Sequence, residues 1–218
     1  MRYSQEYIDE IKEKIPQAAF RLFASKGIES VSMQNIADES GCGVASLYRY
    51  YGSKLNLVID VGTQKYAYLA KQVEKRYQNM DGDRFTAYQE IEFYLECYIE
   101  LFRRNKEMLR FNSNFDQYIL HEHPTQEEMA PYYEAVSFFP KFFHSRYAKA
   151  FEDHSIRTDI PEEEVYYGIM YTMLTAASKF SYGTVFPGER KLDYTRALEM
   201  QKEAYLSYLT SRPEAENK

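Results

Sequence analysis

Apolar residues recur three and four positions apart over long stretches of the chain, and few stretches show the two-residue alternation of a half-buried strand. That period predicts an all-α protein of about nine helices. Breaks are expected near Gly27, Gly41 to Gly43, Gly52, Asp81 to Asp83, Pro124, Pro131, Thr158 to Pro161 and Gly183 to Gly188, where glycine, proline or clustered aspartate interrupts the stripes. The breaks crowd together before Ser53 and spread apart after it. The expected organisation is a small amino-terminal domain of short helices over residues 1–53, followed by a larger helical bundle over residues 54–218.

In the first segment Ile15, Ala18, Ala19, Leu22 and Phe23 form one apolar stripe ending at Gly27, a glycine suited to closing a helix. Pro16 cannot donate a backbone bond to a helix begun at Ser4, which leaves two readings open: a kinked helix, or a fresh one with proline in its first turn. Ser32 precedes a periodic stretch, Met33 to Glu39, with Ile36 and Ala37 facing inward, and its hydroxyl can accept from the first free N–H groups. Ser40-Gly41-Cys42-Gly43 then makes a tight turn before Val44 to Tyr51, a short helix with Leu47 and Tyr51 on one face. Small Ala37 where two helices touch, Gly41 in a strained turn and Leu47 filling the angle fit a helix-turn-helix.

Ala18-Ala19, Leu22-Phe23, Gly27, Ile36-Ala37, Gly41, Leu47-Tyr48, Tyr50-Tyr51, Ser53-Lys54 and Leu57 together resemble the amino-terminal pattern of the TetR family of bacterial transcriptional regulators. The resemblance covers about residues 15 to 57, and the larger domain resembles the family only in length and helical outline. Pro16, Cys42 where an aliphatic residue is usual, and Gly43 where a hydroxyl often caps the recognition helix depart from it. The resemblance implies a DNA-binding headpiece with Val44, Ala45, Ser46, Tyr48 and Arg49 at the major-groove surface and Gln34 nearby, while Ser32, Tyr50 and Lys54 hold phosphates. Side-chain chemistry agrees with that division. Arg49 can fork onto a guanine edge, Val44 or Ala45 can meet a thymine methyl, and Lys54 adds charge where a helix begins.

Charge changes the picture. The 218 residues carry 27 basic and 33 acidic side chains, a net of −6, which argues against coating nucleic acid by bulk positive charge. Residues 1–55 hold seven basic (Arg2, Lys12, Lys14, Arg21, Lys26, Arg49, Lys54) and seven acidic side chains (Glu6, Asp9, Glu10, Glu13, Glu29, Asp38, Glu39), so useful affinity is expected to need two headpieces on paired half-sites of double-stranded operator DNA. Met1 to Gln17 has no apolar run, and the low-charge stretch Glu164 to Lys179 is too short and polar to span a bilayer, so a cytoplasmic, membrane-free protein is expected. Cys42 and Cys97 lie too far apart for a zinc or disulfide spacing and read as reduced packing residues.

In the larger domain Tyr88, Ile91, Leu95, Tyr98, Ile99 and Phe102 form one stripe, and Phe93, Tyr94, Cys97 and Leu101 cover much of the rest of that helix. Its polar strip, Glu92, Glu96, Glu100, Arg103 and Arg104, reads either as solvated or as an acidic wall facing a cationic ligand. The 22 tyrosines and 14 phenylalanines, with no tryptophan, leave many core phenols needing partners. The family resemblance implies that a subset lines an effector cavity, and Tyr94, Tyr98, Phe102, Phe111, Phe115, Tyr118, Phe139, Phe143, Met170 and Met173 are the candidates for a small aromatic or cationic organic effector. Two late helices, Pro161 to Tyr182 and Leu192 to Leu209, are apolar on more than one face, and by the resemblance they form a homodimer as a four-helix bundle.

Enzyme signatures are missing. The sequence has no H-E-x-x-H, P-loop or G-x-S-x-G, and no histidine follows a glutamate by three as di-iron bundles require. His121-Glu122-His123 before Pro124 reads as a solvated helix end rather than a metal site, and no cofactor is expected. The sequence points to a ligand-responsive, dimeric DNA-binding repressor. The competing reading is a DNA-bound interaction protein whose large domain binds a protein partner.

Overall fold

The computed structural model describes residues 5–80, 84–183 and 192–211, and among them eleven α-helices and no strand. In chain order these are α1 (Gln5–Lys26), α2 (Met33–Ser40), α3 (Val44–Tyr51), α4 (Lys54–Asn79), α5 (Ala87–Arg104), α6 (Lys106–Glu122), α7 (Gln126–Val136), α8 (Phe138–Tyr147), α9 (Ala150–Asp153), α10 (Glu162–Ser181) and α11 (Tyr194–Thr210). The all-helical reading holds, and the expected count of about nine helices is close. Pro131 does not break the chain. It lies inside α7 at an exposed position, where its missing N–H forfeits one bond to the Glu127 carbonyl and solvent reaches the site. Pro16 likewise sits inside α1, which neither ends nor restarts there. The unforeseen breaks are Asn105, whose N–H closes α5 on the Leu101 carbonyl at 2.8 Å, Ser137 between α7 and α8, and Ala148 with Lys149 between α8 and α9. The expected break at Asp81 to Asp83 and most of that at Gly183 to Gly188 lie outside the described residues.

The helices divide into two compact units, one of Met1–Leu69 with Glu107–Val136 and the other of Ala70–Lys106 with Ser137–Lys218. In the first unit the stripe of α1 meets α2 and α3 over Ile15, Phe23, Ile36 and Leu47, all fully buried. Burying each such side chain is worth about 1.5–3 kcal/mol. The same unit docks α6 on the headpiece: the Phe20 and Phe111 rings lie 5.3 Å apart, and Asn114 Nδ2 donates to the Phe23 carbonyl at 2.9 Å. Between α4 and α6 the Tyr66 hydroxyl donates to Asn112 Oδ1, and Asn112 Nδ2 donates to Asp116 Oδ2 at 3.3 Å. Asp116 is exposed as a residue, yet enough protein surrounds its carboxyl that burial pushes it up to about 6.

In the second unit α5 is the central helix, with Ile91, Leu95 and Ile99 fully buried and α8, α10 and α11 around it. Thr86 caps it reciprocally with Gln89. Glu90, in its first turn, is fully buried, and its Oε1 accepts from the Tyr77 hydroxyl at 2.6 Å and from Lys149 Nζ, while Oε2 is buried without a hydrogen-bond partner. The polar strip of α5 is solvated at Arg103 and Arg104, which are exposed, and is paired toward α11 at Glu96. Arg103 pairs with Glu96 at 3.0 Å and Glu199 at 2.8 Å, and Lys202 with Glu96 at 2.9 Å, so the strip is a seam to α11.

Candidate nucleic-acid interface

The interface is built from local rules. Ser32 stands in extended backbone ahead of α2; its Oγ accepts from Asn35 N at 3.1 Å while Asn35 Oδ1 accepts from Ser32 N at 2.9 Å, a reciprocal cap. Gly41 closes α2 at φ 73°, a left-handed conformation open to glycine at little cost, and the following Cys42 N–H bonds the Ala37 carbonyl at 3.0 Å. This turn sends the chain into α3, which starts at Gly43 with no side-chain cap. Leu47 is fully buried against the turn. That anchor leaves Ala45, Tyr48 and Arg49, spaced by three and four, exposed together, with Val44, Ser46 and Tyr50 half-buried beside them.

Gln34 and Ser32 are exposed on α2 and its cap, and Gln34 Nε2 donates to Asp38 Oδ1 at 2.7 Å. Arg49 Nη2 donates to the Tyr50 hydroxyl at 3.2 Å, with its guanidinium carbon 5.0 Å from the centre of that ring. Lys54 opens α4 half-buried: Nζ donates to the Glu29 carbonyl at 3.4 Å and lies 5.4 Å from the Tyr118 ring centre. Burial lowers the Lys54 ammonium below the usual lysine range, against the opposing pull of Glu29 and Glu122. Behind α3, burial and then Asp60 hold the Tyr51 phenol well above its ordinary value.

The ten candidate effector residues divide between the units. Phe111, Phe115 and Tyr118 belong to the first, where Phe115 packs on Phe111 at 5.6 Å and on Tyr132 at 4.7 Å, and all three are buried. The second unit holds the other seven. Tyr98 donates to the Tyr94 hydroxyl at 3.0 Å, and the Tyr94 ring lies 5.1 Å from Phe143 and 6.2 Å from Tyr166. Burial raises the phenols of Tyr94, Tyr98 and Tyr166, the last to about 12, so all three remain protonated donors at neutral pH. Phe102 joins a separate aromatic group with Phe180 and Tyr194, at 6.4 and 6.5 Å. Met173 is buried, whereas Met170 and Phe139 are half-buried, Phe139 against Phe138 at 5.3 Å.

Two open clefts on the second unit are lined by none of these ten. One runs along Tyr88, Glu92, Lys202 and Leu206, the other along Arg76, Met80, Phe85 and Phe93. Among the described residues no group of three or more His, Cys, Asp or Glu side chains could hold a metal ion, and no helix is long and apolar enough to cross a membrane. Sequence reasoning missed Tyr166, which is buried; the spacing Tyr166, Ile169, Met173, Ala177 marks the inward face of α10. It also missed Lys12, whose Nζ lies 5.7 Å from the Tyr50 ring centre, a meeting of α1 with α3 that no local pattern announces.

Residues 15–61 match the profile of bacterial regulatory proteins of the tetR family. Over 48 residues the chain is 40% identical to HTH-type transcriptional regulators of Staphylococcus aureus strains USA300 and NCTC 8325, a match covering 22% of this chain and 26% of theirs. The chain thus spans about a quarter of the length of these curated relatives. Solved structures share the fold. A tetR-family regulatory protein from Rhodococcus RHA1 has a TM-score of 0.70 at 16% identity, covering 97% of this chain and 100% of that one. The transcriptional regulator FadR from Bacillus subtilis, in complex with stearoyl-CoA, has 0.67 at 13% (90% and 98% covered), and the ketosteroid transcriptional regulator KstR2 of Mycobacterium tuberculosis 0.65 at 15% (92% and 95%).

Proposed function

Through residues 15–61 the chain belongs to the tetR family of bacterial regulatory proteins, and from that premise we propose that it is a dimeric, ligand-responsive transcriptional repressor. The single observation that carries the reading is the face formed by Ala45, Tyr48 and Arg49, exposed together while Leu47 anchors the opposite side of α3. In this reading α3 enters the major groove, Arg49 reads a base edge with Val44, Ala45, Ser46, Tyr48 and Gln34 around it, and Ser32 and Lys54 face phosphates. The uncapped start of α3 supports the docking, since its first N–H groups can meet a phosphate.

The domain over 54–218 binds the effector and dimerises through Pro161–Tyr182 and Leu192–Leu209. Tyr167, Tyr171, Tyr182, Met200 and Tyr208 are exposed on these segments, an apolar surface that a second copy would cover. Of the two effector chemistries, aromatic and cationic, the aromatic one has the support. Of the carboxylates that would face a cation, Glu92, Glu96 and Glu100, the last two are already paired with Arg103, Arg104 and Lys202. The Bacillus subtilis relative is in complex with stearoyl-CoA and the mycobacterial one is named for ketosteroids, and neither is an organic cation. The test is a footprint on the DNA flanking the protein's own coding region. Two protected half-sites with centres about one helical turn apart, roughly 34–36 Å or slightly more, are expected. Absence of any protected site there or in a random-sequence pool would overturn the reading.

A further inference from the structure

Neighbouring residues on a helix do not face one another, so a contact between Arg49 and Tyr50 requires the long arginine side chain to fold back across the helix surface. It does so twice over: the guanidinium carbon stands 5.0 Å from the ring centre, and Nη2 donates to the phenol oxygen at 3.2 Å. Lys12 reaches the same ring from α1, its Nζ 5.7 Å from the centre. One half-buried phenol thus carries two cations of an otherwise charge-balanced headpiece. The ring quadrupole and the hydroxyl lone pairs are the features that hold them.

We infer that Tyr50 is a positioning residue for base reading: it pre-orders Arg49 in the free protein, while Lys12, exposed on α1 near the same ring, is by its own placement a phosphate contact from outside the helix-turn-helix. This deepens the operator reading and rests on it, but it assigns Tyr50 a different task from the phosphate contact that family resemblance implies. An unheld arginine must lose its rotamer freedom when it meets a guanine. A held one has already lost it, so the ordering cost is absent from binding. The effect falls on cognate DNA alone, since loose sequence-independent binding does not require one arginine rotamer. Lys12, acting by charge, affects all sequences.

The experiment uses the full chain and two duplexes, the sequence it enriches from a random pool and a scrambled duplex of equal length. Tyr50→Leu is expected to weaken binding to the enriched duplex by about 2–12-fold, the worth of one immobilised side chain, and to leave the scrambled duplex unchanged. Tyr50→Phe, which keeps the ring and the packing, should show a smaller loss of the same kind and serves if the leucine variant does not fold. In the Arg49→Ala background both substitutions should lose their effect, because Tyr50 acts through Arg49. Lys12→Ala should weaken both duplexes alike and lower the salt slope by about one per headpiece. Equal losses on both duplexes for the Tyr50 variants, or losses undiminished in the Arg49→Ala background, would overturn the positioning role; an unchanged slope for Lys12→Ala would overturn the phosphate role. A wild-type protein that enriches no sequence overturns the operator reading itself, a distinct result.

Discussion

Gly62 of α4 lies so close under Phe115 of α6 that a Cβ at position 62 would stand 2.8 Å from Phe115 Cε2, with Tyr132 Cδ2 at 3.3 Å. The ring has little room to yield, for Phe115 is buried and held between Phe111 and Tyr132. Two effects oppose each other in Gly62→Ala. Helix propensity favours alanine by about 1 kcal/mol, and overpacking costs about 1–3 kcal/mol. The clash is expected to win, lowering stability by a net of about 1 kcal/mol, which appears as a lower urea midpoint at unchanged m. In a Phe115→Leu background the clash is relieved and the same substitution should become stabilising. A sign that does not reverse would contradict the close approach.

Asp116 gives the protein a pH dependence. Its folded carboxyl titrates near 6, above the value of about 3.9 in an unfolded chain, so the folded state binds more protons between those values. Stability from this group is therefore fully present below the unfolded value and is lost as pH rises through about 6. Asp116→Asn retains an oxygen able to accept from Asn112 and removes the titration. It should raise the thermal midpoint at pH 7.5, with a gain that shrinks as pH falls through about 6 towards 4.5. A gain of equal size at both ends of that range would contradict the assignment.

Tyr167 and Tyr171, one helical turn apart on α10, stack at 6.1 Å with planes 24° apart while both remain exposed. A charge placed in this face should be excluded from a dimer interface. Tyr171→Glu is expected to leave helical content unchanged and to shift sedimentation at micromolar concentration from dimer towards monomer. A wild-type protein that sediments only as monomer would refute the dimer.

The parts of the molecule legible in sequence are those whose causes are local. Ser32, Gly41 and Leu47 each act within a few residues, so the cap, the left-handed turn and the buried anchor of the helix-turn-helix could be read directly. Asn105 lies outside the expected breaks because it is neither glycine, proline nor part of an aspartate cluster, although Arg103 and Arg104 ahead of it mark a helix end. Pro131 was misread in the other direction, since one lost bond on an exposed helix is tolerable. The Arg103–Glu199 pair joins residues 96 apart, and Lys12 meets Tyr50 across two helices; neither has a local signature.

Switching is expected to run along α4, which starts at Lys54 beside the recognition helix and continues to Asn79. A ligand that favours a spacing unable to meet both half-sites, with a coupling of about 1–3 kcal/mol, lowers operator affinity by about 5–150-fold. Reciprocity demands that operator DNA weaken that ligand by the same factor. The check is to find a compound that raises the thermal midpoint and titrate it with and without operator. Equal affinities would contradict the coupling and favour a protein partner for the large domain.

The central claim, that α3 reads DNA sequence through its exposed face, is tested most directly by the ratio of affinities for the enriched and scrambled duplexes at fixed salt, measured for wild type and Arg49→Ala. Loss of a base-edge contact is expected to cost about 1–3 kcal/mol on the enriched duplex and little on the scrambled one, so the ratio should fall by about 5–150-fold. An unchanged ratio would contradict it.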